Sequence, residues 1–123
     1  MARTILVVDD SGTMRQQVSI ALKQAGFVTV EASDGAQGMA AIAANRNIDM
    51  VICDVNMPNM NGLDMVKNVK AKPENKALPI LMLTTEGEVS LIKRAKEMGA
   101  VGWIVKPFDP SQLIQTAKHL TRS

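Results

Sequence analysis

The chain has 123 residues, enough for one substantial core and too few for a second domain. Net charge is +2 with 21% charged residues, basic side chains being scattered among acidic ones, which argues against nucleic acid or an anionic membrane as partner. One cysteine cannot form an internal disulfide, and the apolar run near the N-terminus is too short for a secretion signal or a membrane span, so a cytoplasmic monomer is expected.

"TILVV" at 4 to 8 is apolar at consecutive positions, as in a strand covered on both faces, and Asp9 and Asp10 follow it. Met14, Val18, Ala21, Leu22 and Ala25 then keep helical spacing up to Gly26. "FVTVEA" at 27 to 32 alternates and reads as an edge strand, while Asp34 with Gln37 marks a helix start. "DMVIC" at 49 to 53 runs into Asp54, and "PILML" at 79 to 83 runs into Thr84 and Thr85. Leu91, Ile92, Ala95 and Met98 form a one-sided helix that Gly99 stops. "GWIV" at 102 to 105 precedes Lys106 and Pro107; Asp109, Pro110 and Gln112 then open a helix with Leu113, Ala117 and Leu120 inward. Five βα units in succession predict a parallel sheet with helices on both faces, without repeat or linker. Nine methionines against one Trp, two Phe and no Tyr predict a core of aliphatic and thioether side chains.

In an open α/β sheet, ligands bind beyond the carboxyl ends of the strands, where the strand order reverses. The residues leaving the apolar runs are Asp9, Asp10, Asp54, Thr84, Thr85 and Lys106. Any one of them alone reads equally well as a turn or cap residue. Three carboxylates at one mouth repel one another unless a cation joins them, and an oxygen-only set suits Mg2+ better than zinc or copper. A carboxylate can also take up a phosphoryl group as nucleophile, with a metal, a lysine and a hydroxyl around the equatorial oxygens. The single histidine, His119, reads as a solvated side chain, and Cys53 as a small buried hydrophobe.

"ILVVDDSGTMR", "VICDVNMPNMNGLDMV", "LPILMLTTEG" and "GWIVKPF" together resemble the receiver domain of two-component response regulators, in particular the single-domain chemotaxis regulators, over essentially the whole chain. The resemblance implies a flavodoxin-like, doubly wound sheet of five parallel strands in the family's order 2-1-3-4-5, with five helices. It implies one receiver domain over 1–123 with no output domain. Asp54 matches the phosphoacceptor, Asp9 and Asp10 the acidic pair that holds Mg2+ with Asp10 the more direct ligand, and Asn56 a backbone carbonyl to the metal. Lys106 matches the lysine that pairs with the acceptor and then with the phosphoryl group, ahead of a cis peptide bond to Pro107. Thr84 matches the hydroxyl that moves to the phosphoryl group, Trp103 an aromatic switch, and Asn56 with Glu86 the positions that tune dephosphorylation. Met57 and Pro58 are expected to end the strand, and Gly62 to supply permissive backbone in the loop.

The function so implied is a switch. A histidine kinase, or a small acyl phosphate, phosphorylates Asp54 with Mg2+, the chain catalysing its own phosphorylation and dephosphorylation. The surface of the fourth helix, fifth strand and fifth helix, about 88 to 120, then changes its affinity for a flagellar motor switch protein or a phosphatase. A phosphorelay intermediate, a phosphate sink and a receiver cut from a larger regulator need the same chemistry and stay open. A haloacid-dehalogenase-type phosphohydrolase ranks lower, because Asn56 stands where that family has a second Asp. A flavodoxin-like electron carrier ranks lower too, because Asp9 and Asp10 would repel the flavin phosphate.

Overall fold

The computed structural model describes residues 2–57, 60–85 and 87–122. Strands and helices alternate strictly: β1 Thr4–Val8, α1 Gly12–Gln24, β2 Val28–Ala32, α2 Gly35–Ala44, β3 Ile48–Cys53, α3 Gly62–Lys70, β4 Ile80–Thr84, α4 Val89–Met98, β5 Gly102–Val105 and α5 Pro110–Thr121. A 3-10 turn, Pro73–Asn75, lies between α3 and β4. All strand pairs are parallel in the order β2-β1-β3-β4-β5, the flavodoxin-like arrangement that the motifs predict.

Alternation along the strands sorts side chains onto two faces. Ile5, Val7, Met50, Ile52, Leu81, Leu83 and Ile104 meet Val18 and Leu22 of α1 and Leu113 and Ala117 of α5. Leu6, Val8, Val51, Cys53, Ile80 and Met82 meet Ile42 of α2, Met65 and Val66 of α3 and Ala95 of α4. The central strands are therefore buried on both sides, as their unbroken apolar runs require. "GWIV" departs from this. β5 is the second edge of the sheet, with Ile104 buried and Val105 45% exposed, because no strand lies beyond it.

Helix ends follow local chemistry. Asp34 accepts from the Gln37 amide while the Gln37 side chain takes the Ser33 amide, and Asp109 accepts from the Ser111 amide ahead of Pro110. Ser11 and Asn61 cap α1 and α3 in the same way. Gly99, with φ +115°, ends α4 in the left-handed conformation that favours glycine. Beneath the sheet, Lys70 threads along Gly99 and donates to the carbonyls of Asn75, Lys76 and Leu78. Burial draws its pKa below the usual lysine value.

The order in which strands are added to the sheet reverses between β1 and β3: α1 packs on one face of the sheet, α2 and α3 on the other. The crevice this opens lies at the carboxyl ends of those two strands.

Candidate functional site

Val8 stands beside Cys53 in the β1–β3 ladder, so the next residues, Asp9 and Asp54, leave the sheet side by side. Carboxylate oxygens of Asp9, Asp10 and Asp54 lie within 4.8 Å of one another. Asp9 and Asp54 are only 4% and 7% exposed, whereas Asp10 faces solvent. Asp9 Oδ1 accepts from the Ser11 amide at 2.9 Å, and Asp54 Oδ1 from the Val55 amide at 2.7 Å. Main-chain bonds from Asp9 to Ala32 and from Asp54 to Val8 carry the ladders into the site.

β5 brings the counter-charge from across the sheet. Lys106 donates its amide to the Thr84 carbonyl at 2.8 Å, and its peptide bond to Pro107 is cis, as expected. Its Nζ donates to Asp9 Oδ2 at 2.7 Å and reaches Asp54 Oδ2 at 3.4 Å, from a side chain only 8% exposed. A buried ammonium needs such acceptors, and buried carboxylates need such a donor. The lysine expected to pair with Asp54 is thus shared, and its shorter bond goes to Asp9.

Thr84 ends β4 fully buried, while Thr85 is exposed. Met82 stands beside Trp103 in the β4–β5 ladder, so Thr84, two residues on, shares a sheet face with the indole. Trp103 is partly buried against the cluster formed with α2, α3 and α4. Asn56 lies exposed two residues after Asp54. Glu86 and Pro58 lie outside the described residues; β3 ends at Cys53, before Met57, because the Asp54 carboxylate has already turned to the Val55 amide.

Two neighbours of Asp54 are settled by packing. Cys53 is fully buried, and burial pushes its thiol well above the ordinary value, with Asp54 and Asp9 adding to the effect. Gly62 differs from expectation. Positive φ among the described glycines occurs at Gly26 and Gly99, whereas a Cβ at Gly62 would collide with the Asp54 carbonyl oxygen. The loop needs glycine there for close approach of backbone to backbone.

The family model for the response regulator receiver domain matches residues 5–118. The chain belongs to the response regulator receiver family. This receiver is 44% identical over 110 residues to chemotaxis protein CheY1 of Helicobacter pylori strain J99, covering 89% of each chain. It is also 42% identical to the solved structure of Vibrio cholerae chemotaxis protein CheY4, with a TM-score of 0.91 over 98% of this chain and 99% of that one. A CheX-CheY-BeF3-Mg2+ complex from Borrelia burgdorferi is similar at 28% identity and a TM-score of 0.89, covering 96% of this receiver and 88% of that chain.

Sequence reasoning picked out the strand-end residues of this receiver but passed over Arg15, whose guanidinium donates to the Asp9 carbonyl at 2.7 Å. Its place in the first helical turn after the acidic pair was the available signal.

Proposed function

We propose that this receiver is a phosphorylation switch in which Asp54 takes a phosphoryl group from a histidine kinase with Mg2+ and thereby changes affinity for a protein partner. One observation carries the reading: three carboxylates share a strand-end crevice with a buried ammonium that bridges two of them. Oxygen donors alone, without His or Cys, fit Mg2+. Asp10, Asp54 and the Asn56 carbonyl would hold the ion directly, with Asp9 completing the acidic wall. When bound, the ion offsets the negative charge of these groups and of the incoming phosphoryl oxygens.

A carboxylate oxygen of Asp54 attacks phosphorus as the bond to the donor's histidine nitrogen breaks. Lys106 turns from Asp9 to the phosphoryl oxygens, where about two added negative charges outweigh its present acceptor. Thr84 donates its hydroxyl to the same group, and Trp103, on the shared sheet face, repacks with it. Asn56 and Glu86 tune the attack of water that restores the carboxylate. Lys93, Arg94, Lys96 and Lys118 on α4 and α5 give the readout face a basic character suited to an acidic partner segment. Likeness to chemotaxis proteins supports a motor switch protein or a phosphatase as that partner, and the Borrelia complex supports Mg2+ and a CheX-like protein as partner. The whole of 1–123 acts as one cytoplasmic receiver domain, monomeric at rest.

The test is the intact mass of wild type and Asp54→Asn after acetyl phosphate treatment, with and without Mg2+. One added phosphoryl group that requires both Asp54 and the metal is expected. Equal labelling of Asp54→Asn would move the acceptor elsewhere, and no labelling of wild type despite Mg2+ binding would leave a constitutive binding module.

A further inference from the structure

The acidic loop is held from outside the crevice as well as from within. Arg15, in the first turn of α1, donates from Nη1 to the Asp9 carbonyl at 2.7 Å and from Nε to Glu31 Oε1 on β2 at 3.0 Å. That carbonyl shares a planar peptide unit with the Asp10 amide, so fixing its direction fixes the place of the Asp10 Cα from which the side chain departs. Asp9 has both carboxylate oxygens tied, by Ser11 and Lys106. Asp10, the exposed member of the cluster, has no such tie among the described residues. Its aim is therefore set through the main chain.

Glu31 stands beside Val7 in the β1–β2 ladder, level with the end of β1, and anchors the guanidinium to the sheet. Further along the same seam, Ser19 Oγ and Thr29 Oγ1 are buried without a hydrogen-bond partner among the described residues. The Arg15–Glu31 pair is a polar tie between the start of α1 and β2. Its charges are partly solvated, the two side chains being 22% and 40% exposed, and each offsets the other. A bare guanidinium would compete with a cation for the carboxylates; a paired one contributes mainly hydrogen-bond geometry.

We infer that Arg15 and Glu31 are positioning residues for the metal site, orienting Asp10 through the Asp9–Asp10 peptide. This rests on the Mg2+ reading given above. Charge and geometry predict opposite signs: removing a nearby cation should tighten Mg2+ binding, whereas losing the orienting bond should weaken it.

The experiment is calorimetric titration of Mg2+ into wild type, Arg15→Gln, Arg15→Lys, Glu31→Gln and Asp10→Asn, with the melting temperature of each measured without metal. Partners that orient metal ligands typically contribute 10- to 100-fold in affinity, so both Arg15 variants should raise the Mg2+ dissociation constant about tenfold. Arg15→Lys keeps the charge but cannot reach both acceptors with one planar fork, and it serves if Arg15→Gln fails to fold. Glu31→Gln should weaken binding in the same direction. Unchanged or tighter binding in the Arg15 variants overturns the inference, including the case where only the metal-free melting temperature drops. If wild type binds no Mg2+, or Asp10→Asn binds as wild type does, the metal reading fails and takes this inference with it. Normal wild-type binding, weak Asp10→Asn and normal Arg15 variants would reject the inference alone.

Discussion

Lys106 satisfies two buried carboxylates with one ammonium, and its removal leaves both without a counter-charge. Lys106→Met should destabilise the fold by about 3–5 kcal/mol in urea denaturation near neutral pH, the usual cost of breaking one side of a buried ion pair. A loss below about 1 kcal/mol, the scale of a surface pair, would show the site to be well solvated. Cys53 makes a second prediction, on pH. Its thiol stays protonated in the fold above its ordinary value of 9.0, where the unfolded chain gives up the proton. The folded state then binds more protons, so stability falls as pH rises through that range, by at most about 1.4 kcal/mol per pH unit. Denaturation series at pH 8 to 10.5 should show a shallower decline in Cys53→Ala than in wild type. Lys106, Asp9 and Asp54 were legible because each sits where an apolar run stops. Arg15 was passed over, because its place one turn after the acidic pair hints at a role there but does not show that a carbonyl awaits it.

At the scale of elements, two glycines separate strain from collision. Gly26 has φ +96° with open space where a Cβ would be, so Gly26→Ala should cost about 1–2 kcal/mol, the penalty of a left-handed residue. Gly62→Ala drives a methyl group into the Asp54 carbonyl and should cost at least the upper end of the about 1–3 kcal/mol seen for overpacking. It should also disturb labelling of Asp54, since relief requires moving that backbone or the start of α3. Unfolding midpoints of both variants, with the mass assay on Gly62→Ala, decide between the two causes. Sequence marked Gly62 as a loop glycine and missed its reason, because a collision between residues eight apart depends on how the loop folds back. The edge position of β5 came from the strand order that the resemblance implies, not from its own residues. Its four apolar residues resemble those of a central strand, and only the order of strands makes it an edge. Lys70 likewise carries no local signal, since its three acceptors belong to the loop beyond the helix.

For the molecule as a whole, the fold was legible because strict alternation of strand and helix leaves few ways to bury continuous apolar strands. A ligand that binds only the folded form raises stability, by about 2.7 kcal/mol at a hundred times its dissociation constant. Saturating Mg2+ should therefore raise the melting temperature of wild type and not of Asp10→Asn; equal shifts in both would place the ion outside the acidic crevice. Trp103 has a consequence of its own. The chain holds one tryptophan and no tyrosine, so its near-ultraviolet emission comes almost wholly from one indole on the sheet face that Thr84 shares. The protein thus carries an intrinsic fluorophore on the edge strand that leads to Lys106, and the rearrangement of Thr84 proposed above should register in real time as a change in emission wavelength, without any attached dye.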